Sequence, residues 1–323
     1  MLKFPDAVHH HDWWLLLAIF VATVVVSASA GFAMPDDTLQ WIMYLVPTFG
    51  ALLIASIANA QNMALARVTL ITFTSWLICV SMVLGHGSYA FATLNFPLQD
   101  ARLLSFDTAL GIDLVALRTA VGQSETASSI LTFAYYKTGN QMLLGVVILF
   151  LLRDDFRRLR KSASIYTLGA TATMVLSTLI PALGAYPYLN MSAVDSGYLT
   201  NAGTDGYVAH YLALRDGTLR VFPTTDWCGI TTFPSFHTIM TLTAAYAVRP
   251  IRWLFWPSAL FSCFVIFATL PVGGHYSIDI IGGLAIFAAS VAWVERRDRV
   301  HAVAASPARR RVLQVGETAA ISV

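Results

Sequence analysis

The sequence predicts an all-α protein built as a polytopic bundle of transmembrane helices. Hydrophobic residues make up 57% of its 323 residues and charged residues 12%, and the mean hydropathy is +0.65. These values lie far from those of an average soluble domain. Eight apolar stretches are predicted to cross a bilayer as helices, which takes roughly 20 residues, and the sixth of them is short. We expect one membrane domain over residues 1–300 and a disordered cytoplasmic tail over residues 301–323.

The predicted spans follow one another closely, apart from two longer connections. They lie near residues 13–33, 40–60, 68–92, 128–152, 163–186, 236–249, 253–272 and 276–295. The first span also contains Ala28-Ser29-Ala30, a small-x-small pattern that signal peptidase cuts after. A retained span and a cleaved signal both remain open, and the second span starts outside in either case.

Lysine and arginine orient the bundle, because cytoplasmic loops retain positive charge. With a cytoplasmic N-terminus, 15 of the 20 basic residues fall on the inner side. The outer side then carries Arg102, Arg118, Lys137, Arg215 and Arg220. We therefore expect both termini in the cytoplasm. The net charge of +2 follows from this asymmetry and does not indicate nucleic-acid binding.

The two longer connections are both predicted on the outer side. Within residues 93–127, leucines recur at helical spacing among charged residues, which predicts an amphipathic helix along the outer interface. This helix is either a cover over the bundle or a surface that guides lipid into a site. Residues 187–235 form the second outer loop, and a loop of that length usually carries function or is disordered.

Two histidine motifs stand at the outer ends of predicted spans. In "ITTFPSFHTIM", residues 230–240, Ser235 is a plausible helix cap and His237 lies in the first helical turn. A helix start with free amides is a natural cradle for phosphate. In "GGHYSIDIIGG", residues 273–283, His275 and Asp279 are four residues apart, so a helix places them on one face.

The topology predicts that the two motifs face the same outer level. The span after His237 runs inward, and the next span returns the chain outward to His275. In this arrangement His275 attacks a phosphorus atom, Asp279 holds its imidazole, and His237 protonates the departing oxygen. A buried histidine is often only a hydrogen-bonded packing residue. Ionisable residues at membrane depth, however, are functional candidates by default.

The segments "PSFHT" and "GGHYSID" resemble the second and third motifs of the type 2 phosphatidic acid phosphatase superfamily. The single residue between Ser235 and His237, and the tyrosine after His275, are similar in particular to the inositol phosphorylceramide synthase branch of inositolphosphotransferases and its bacterial relatives. The resemblance covers residues 185–295, and more loosely residues 98–115. It implies a six-helix phosphatase-like core.

The resemblance also implies the site roles. His275 would be the nucleophile that forms a phosphohistidine, Asp279 its orienting carboxylate, and His237 the general acid and later the base. No metal or other cofactor is expected. The phosphatases carry Ser-Arg shortly before the third-motif histidine, where this chain has Ala268 and Thr269, and their first motif has no exact counterpart here.

Positive charge must still neutralise the phosphate in the transition state. Besides Ser235 at its helix start, the candidates for phosphate binding are Arg215 and Arg220 in the second outer loop, and Lys137 in the fourth span. The two arginines are either phosphate ligands or solvated loop charges. Lys137 either binds phosphate or snorkels to the headgroups, beside an aromatic belt of Tyr135 and Tyr136.

The remaining metal-binding residue types do not predict a metal site. Cys79, Cys228 and Cys263 lack metal-ligand spacing and fit small packing residues. His9, His10 and His11 lie in a polar N-terminal flank without a second ligand cluster.

The sequence therefore predicts a membrane phosphoesterase or phosphotransferase that acts on lipid phosphate esters. The membrane lipids are its substrates, and no nucleic acid or obligatory protein partner is expected. The compact size and arginine-rich loops favour a bacterial inner membrane, with the site on the periplasmic face. Two alternatives stay open: a proton-coupled transporter that uses the His-Asp pair, and a non-catalytic relative that binds lipid.

Overall fold

The computed structural model of the protein describes residues 9–34, 65–141, 145, 155–191, 197–199, 205–223 and 228–304. Regular structure in these ranges is helical, apart from one isolated β-bridge between Ala33 and Val221. The helices are α1 (His10–Ala30), α2 (Leu65–Ala92), α3 (Asp100–Ala109), α4 (Leu114–Gly122), α5 (Glu125–Tyr136), α6 (Phe156–Leu179), α7 (Ala185–Tyr188), α8 (Asp205–Arg215), α9 (Phe236–Val248), α10 (Arg252–Ala268) and α11 (Ser277–Ala304). The all-α prediction is confirmed for the described residues.

Two described helices are long and apolar enough to cross a membrane, judged by length and composition. They are the segments His11–Ala30 of α1 and Ser277–Val300 of α11. Three shorter apolar segments are Trp76–Ala92, Phe236–Val248 and Arg252–Ala268. Two parts of the predicted spans lie outside the described residues: the span at 40–60 and most of the second half of the span at 128–152. The number of eight spans therefore stays a prediction.

The centre of the bundle is α9, which packs against α6, α10 and α11. Small residues allow this close approach. A Cβ added at Gly169 of α6 would lie 2.5 Å from Cγ2 of Ile239, and one at Gly283 of α11 would lie 2.7 Å from the carbonyl oxygen of Ser235. Glycine at helix crossings is typical of membrane bundles, where close van der Waals contact drives association. The start of α9 is thereby fixed against α11.

The end of the bundle away from the two histidine motifs is held by ion pairs. Lys161 of α6 binds Glu295 at 2.7 Å and Asp298 at 3.3 Å on α11, and Arg249 after α9 binds Glu295 at 3.0 Å. Among the described residues, four tryptophans near this end are more than half exposed: Trp14, Trp253, Trp256 and Trp293. Exposed tryptophan at one level is typical of a membrane interface. The predicted cytoplasmic location of this end stays a prediction.

The first outer connection differs from the sequence-based expectation. Instead of one amphipathic helix, the described chain forms α3 and α4, separated by a turn at residues 110–113. The buried face of α3 carries Asp100 and Asp107, each no more than 1% exposed, whereas Leu110 is 57% exposed. The aspartates point inward because backbone amides of neighbouring loops need acceptors there. The amphipathic pattern of the sequence therefore did not indicate that these two charged residues are buried.

The predicted tail boundary falls inside a helix. Helix α11 continues to Ala304, four residues beyond the boundary that composition indicated. The rest of the predicted tail, residues 305–323, lies outside the described residues.

Candidate active site

His275 and Asp279 form a hydrogen-bonded pair at the start of α11. Nδ1 of His275 lies 3.0 Å from Oδ2 of Asp279, and both side chains are buried. The same Oδ2 accepts a hydrogen bond from the backbone N–H of Tyr276 at 3.0 Å. His275 lies two residues before α11 begins, so the pair meets across the start of the helix and not along one helix face as the sequence had predicted. Because Nδ1 is engaged, Nε2 is the ring nitrogen left for chemistry.

Two glycines shape the turn that precedes His275. Gly274 has φ +67°, a left-handed conformation that favours glycine, and its carbonyl accepts from the backbone N–H of Ala185 at 2.7 Å. A Cβ at Gly273 would lie 2.7 Å from the ring of Tyr135 and 2.8 Å from the carbonyl oxygen of Thr269. The glycine pair therefore lets the turn fit between α5 and α7.

His237 lies in the first turn of α9 and stacks on Tyr135. The two ring centroids are 4.0 Å apart and the ring planes meet at 20°. Tyr135 thus has a specific contact with a candidate catalytic residue, in addition to the position in an aromatic belt that the sequence indicated. Stacking against a buried ring restricts the rotation of the imidazole.

Ser235 caps α9, as the sequence predicted. Its hydroxyl accepts a hydrogen bond from the backbone N–H of Thr238, and its own N–H donates to the carbonyl oxygen of Asp279 at 2.9 Å. Its side chain is fully buried. The cap role is confirmed, while the role of Ser235 in phosphate binding stays a prediction.

A cavity of about 290 Å³ joins the two motifs. His237 and His275 both line it, together with Tyr135, Tyr136, Tyr207 and Thr232. The hydroxyls of Tyr207 and Thr232 donate to the carbonyl oxygens of Leu183 and Ala182, while the two imidazoles bring ring nitrogens to the same cavity. Histidines 38 residues apart in the sequence therefore share one cavity, as the predicted topology required.

The two buried aspartates of α3 hold the turn and helix start around His275. Oδ1 of Asp100 accepts from the hydroxyl of Tyr276 at 2.9 Å and from the backbone N–H of Gly184 at 3.0 Å, and its Oδ2 accepts from the N–H of Leu183 at 3.0 Å. Oδ1 of Asp107 accepts from the N–H of Ser277 at 3.0 Å. Asp107 thus occupies the amide of Ser277 at the start of α11, and Asp100 occupies two amides just before α7, so these amides are not open to a phosphate.

Asp100 and Asp107 were not identified as site residues from the sequence. Their seven-residue spacing is the signal that was available, because residues two turns apart lie on the same face of a helix. Burial raises the pKa of the Asp100 carboxyl above its usual value, and the three donors around it act in the opposite direction. The hydroxyl of Tyr276 is one of these three donors to Asp100.

Replacing Asp100 with asparagine is expected to destabilise the protein by roughly 2 kcal/mol. Both carboxylate oxygens accept hydrogen bonds, so an amide in their place directs its NH₂ group at a backbone N–H or at the Tyr276 hydroxyl. Thermal unfolding of the purified protein in detergent measures the change. Asp113→Asn is the matched control, because Asp113 is an exposed N-cap, a position where asparagine serves equally well. Equal melting temperatures for both variants would contradict this role of Asp100.

Arg118 of α4 is a second buried charge that the sequence did not single out. Its side chain is 1% exposed, its guanidinium donates to the carbonyl oxygen of Pro271 at 2.7 Å, and it lies 4.2 Å from the ring centre of Tyr186. These contacts connect α4 to the loop before His275 and to α7. Arg118 therefore supports the same turn as Asp100 from another side.

The structure does not bring the predicted phosphate-binding cations together with the histidines. Arg215 donates to the carbonyl oxygen of Phe96 at 2.8 Å and lines a separate small crevice. Arg220 donates to the carbonyl oxygen of Gly217 at 2.9 Å. Lys137 is exposed just beyond Tyr136, at the end of α5. Among the described residues, none that lines the histidine cavity is a lysine or an arginine.

The comparisons with known proteins concern the same region. A family model described as the PAP2 superfamily matches residues 101–293. No curated protein and no solved structure matches the chain. The matched residues cover more than half of the chain and include His237, His275 and Asp279, so the chain belongs to the PAP2 superfamily.

Proposed function

We propose that this protein is an integral membrane phosphoesterase or phosphotransferase that acts on lipid phosphate esters through a phosphohistidine at His275. Membership of the PAP2 superfamily supports the phosphoesterase activity. The observation that carries the mechanism is the 3.0 Å contact between Nδ1 of His275 and Oδ2 of Asp279, at a cavity that His237 also lines. Inositolphosphotransferase-like transfer is the finer proposal, and it rests on the sequence motifs.

The first step of the proposed reaction breaks the ester bond. Nε2 of His275 attacks the phosphorus atom while Nδ1–H donates to Asp279, whose negative charge stabilises the imidazolium that forms. The bond between phosphorus and the leaving oxygen breaks as His237 gives that oxygen its proton. The products are a phosphohistidine and an alcohol.

The second step decides between a hydrolase and a transferase. His237, now neutral, removes a proton from water or from an acceptor alcohol. The resulting oxygen attacks the phosphohistidine, and the bond between phosphorus and Nε2 breaks to regenerate His275. Water yields a phosphate product, whereas a lipid alcohol yields a new phospholipid.

The proposed location of the site is the interface between the membrane and the solvent on its outer side, where lipid phosphates lie. We place the protein in a bacterial inner membrane with the site on the periplasmic face and both termini in the cytoplasm. The arrangement of basic residues along the sequence supports this orientation. Lys137 does not line the histidine cavity, but it directly follows the lining residue Tyr136, so it is the one of the three predicted cations that we propose for phosphate binding.

The experiment that tests this function uses the purified full chain in detergent without added metal. Phosphate release is measured from phosphatidic acid, phosphatidylinositol and other lipid phosphates, with ceramide or diacylglycerol offered as acceptor. Phosphate release establishes a phosphoesterase, and a new phospholipid establishes a transferase. Lipid binding without turnover indicates the non-catalytic alternative, and proton flux in proteoliposomes indicates a transporter.

A further inference from the structure

A second cavity lies beside the histidine cavity and has a different chemical character. It has a volume of about 230 Å³ and lies between α2 and α6, next to the first turn of α9. We call it the α2–α6 groove. Val80, Leu84 and Gly85 line it from α2, and Ala170 and Met174 line it from α6. Its wall is therefore mainly apolar.

The groove shares part of its lining with the histidine cavity. Gly229 and Thr231 line both cavities, and Phe236 lines the groove while the next residue, His237, lines the histidine cavity. The loop at residues 229–231 therefore lies between the two cavities, and a ligand that extends past this loop from the histidines reaches the groove.

The length of the groove fits one leaflet of a membrane. Its lining on α2 runs from Val80 to Ser88, and eight residues of α-helix rise about 12 Å. One leaflet of hydrocarbon is roughly 15 Å thick, half of the bilayer core. The groove thus extends from the level of the site over most of one leaflet.

The end of the groove towards the outer loops carries hydroxyl groups. Ser88 and Thr173 lie at the outer ends of its two helical walls, and Thr231 lies in the shared loop. The side chain of Thr173 is 3% exposed, and its Oγ1 has no hydrogen-bond partner among the described residues. An unpartnered buried hydroxyl next to a cavity indicates that a ligand supplies the missing partner.

We propose that the α2–α6 groove binds one acyl chain of the lipid whose phosphate reacts at His275, with the hydroxyl of Thr173 donating to the carbonyl oxygen of that chain. This inference rests on the proposed function and adds the substrate class to it: a lipid with an acyl carbonyl close to the phosphate. The groove then selects for chain length, because each further methylene that it buries strengthens binding.

The first test narrows the groove from α6. Ala170→Phe places a ring in the groove, and Val175→Phe on the same helix is the matched control, since Val175 is 43% exposed and does not line the groove. Turnover is compared for palmitoyl and butanoyl forms of a lipid phosphate. We expect Ala170→Phe to raise KM for the palmitoyl form about tenfold, from several displaced methylenes, and to leave kcat and the butanoyl form unchanged. Equal effects on both chain lengths, or no effect, would overturn the proposal.

The second test removes only the hydroxyl. Thr173→Val keeps the shape of the side chain, and we expect it to raise KM several-fold for an ester-linked lipid but not for the ether-linked analogue, which lacks the carbonyl. Equal KM changes for the ester and the ether would contradict the role of Thr173.

The third test does not depend on turnover. Phosphatidic acid with a diazirine on one acyl chain is photo-crosslinked to the full chain and to the His275→Ala variant, and the labelled peptides are mapped. If the labels lie at residues 80–88 and 166–174 and excess unlabelled lipid removes them, the result supports acyl-chain binding in the groove. This conclusion holds even if the proposed function fails. Turnover with labels spread evenly over the lipid-facing residues would keep the function and reject the groove.

Discussion

Replacing His275 with alanine is expected to reduce turnover of every substrate by at least about a thousandfold, because the variant lacks the nucleophile that we propose to form the phosphoenzyme. Initial rates in detergent measure the loss. Melting temperature and size-exclusion profile show whether the variant is folded. His9→Ala is the matched control, because His9 lies at the opposite end of the bundle, where it stacks on His11, and no candidate site residue contacts it.

A labelling experiment separates the two histidines. After incubation with a lipid phosphate that carries radioactive phosphorus, the parent protein is expected to hold an acid-labile label that His275→Ala lacks. His237→Ala is expected to become labelled by an ester with an activated leaving group, such as p-nitrophenyl phosphate, and to release the label slowly. Label or turnover in folded His275→Ala at the parent level would exclude His275 as the nucleophile.

The second large effect is expected for Asp279→Asn, with a loss of roughly two to four orders of magnitude in kcat. Oδ2 of Asp279 accepts both hydrogen bonds of this carboxylate, from His275 and from the N–H of Tyr276, while Oδ1 has no partner among the described residues. An asparagine oxygen at the Oδ2 position preserves both contacts. The substitution therefore removes the negative charge with little change in geometry.

The comparison with Asp279→Ala distinguishes catalysis from folding. Alanine also removes the acceptor for the Tyr276 amide, so we expect a lower melting temperature in addition to the lost activity. Asp279→Asn is expected to melt near the parent temperature, and Asp113→Asn again serves as the control. Full activity in Asp279→Asn would show that the charge of Asp279 does not assist His275.

Several features of the molecule were predictable because they depend on residues that are close in sequence. The contact between His275 and Asp279 spans only four residues at the start of α11, and the cap at Ser235 needs only the next three residues. The apolar lengths of α1 and α11 follow from composition alone. Such local relations do not depend on how the helices are arranged.

The functions of the charged residues outside the motifs were not predictable in the same way. Asp100 contacts a residue 176 positions away, and Arg118 one that is 153 positions away. In the sequence, both residues stand in segments whose composition fits an exposed polar surface. They are buried only because α3 and α4 pack against the rest of the protein. For Arg215 the reverse holds. Its proximity to His237 in the sequence suggested a position at the site, whereas in the structure it contacts Phe96.

The sequence by itself determined the helical class, the apolar segments and the two motifs with their local geometry, because helix periodicity and apolarity act over a few residues. Tertiary structure decided which side chains surround the histidines, how Asp100 and Asp107 hold the turn before α11, and that an apolar groove opens beside the site. These features depend on contacts between helices far apart in the chain. Once those helices pack, buried backbone groups need hydrogen-bond partners. The side chains that can satisfy these groups, such as Asp100 and Asp107, are then the ones that face inward.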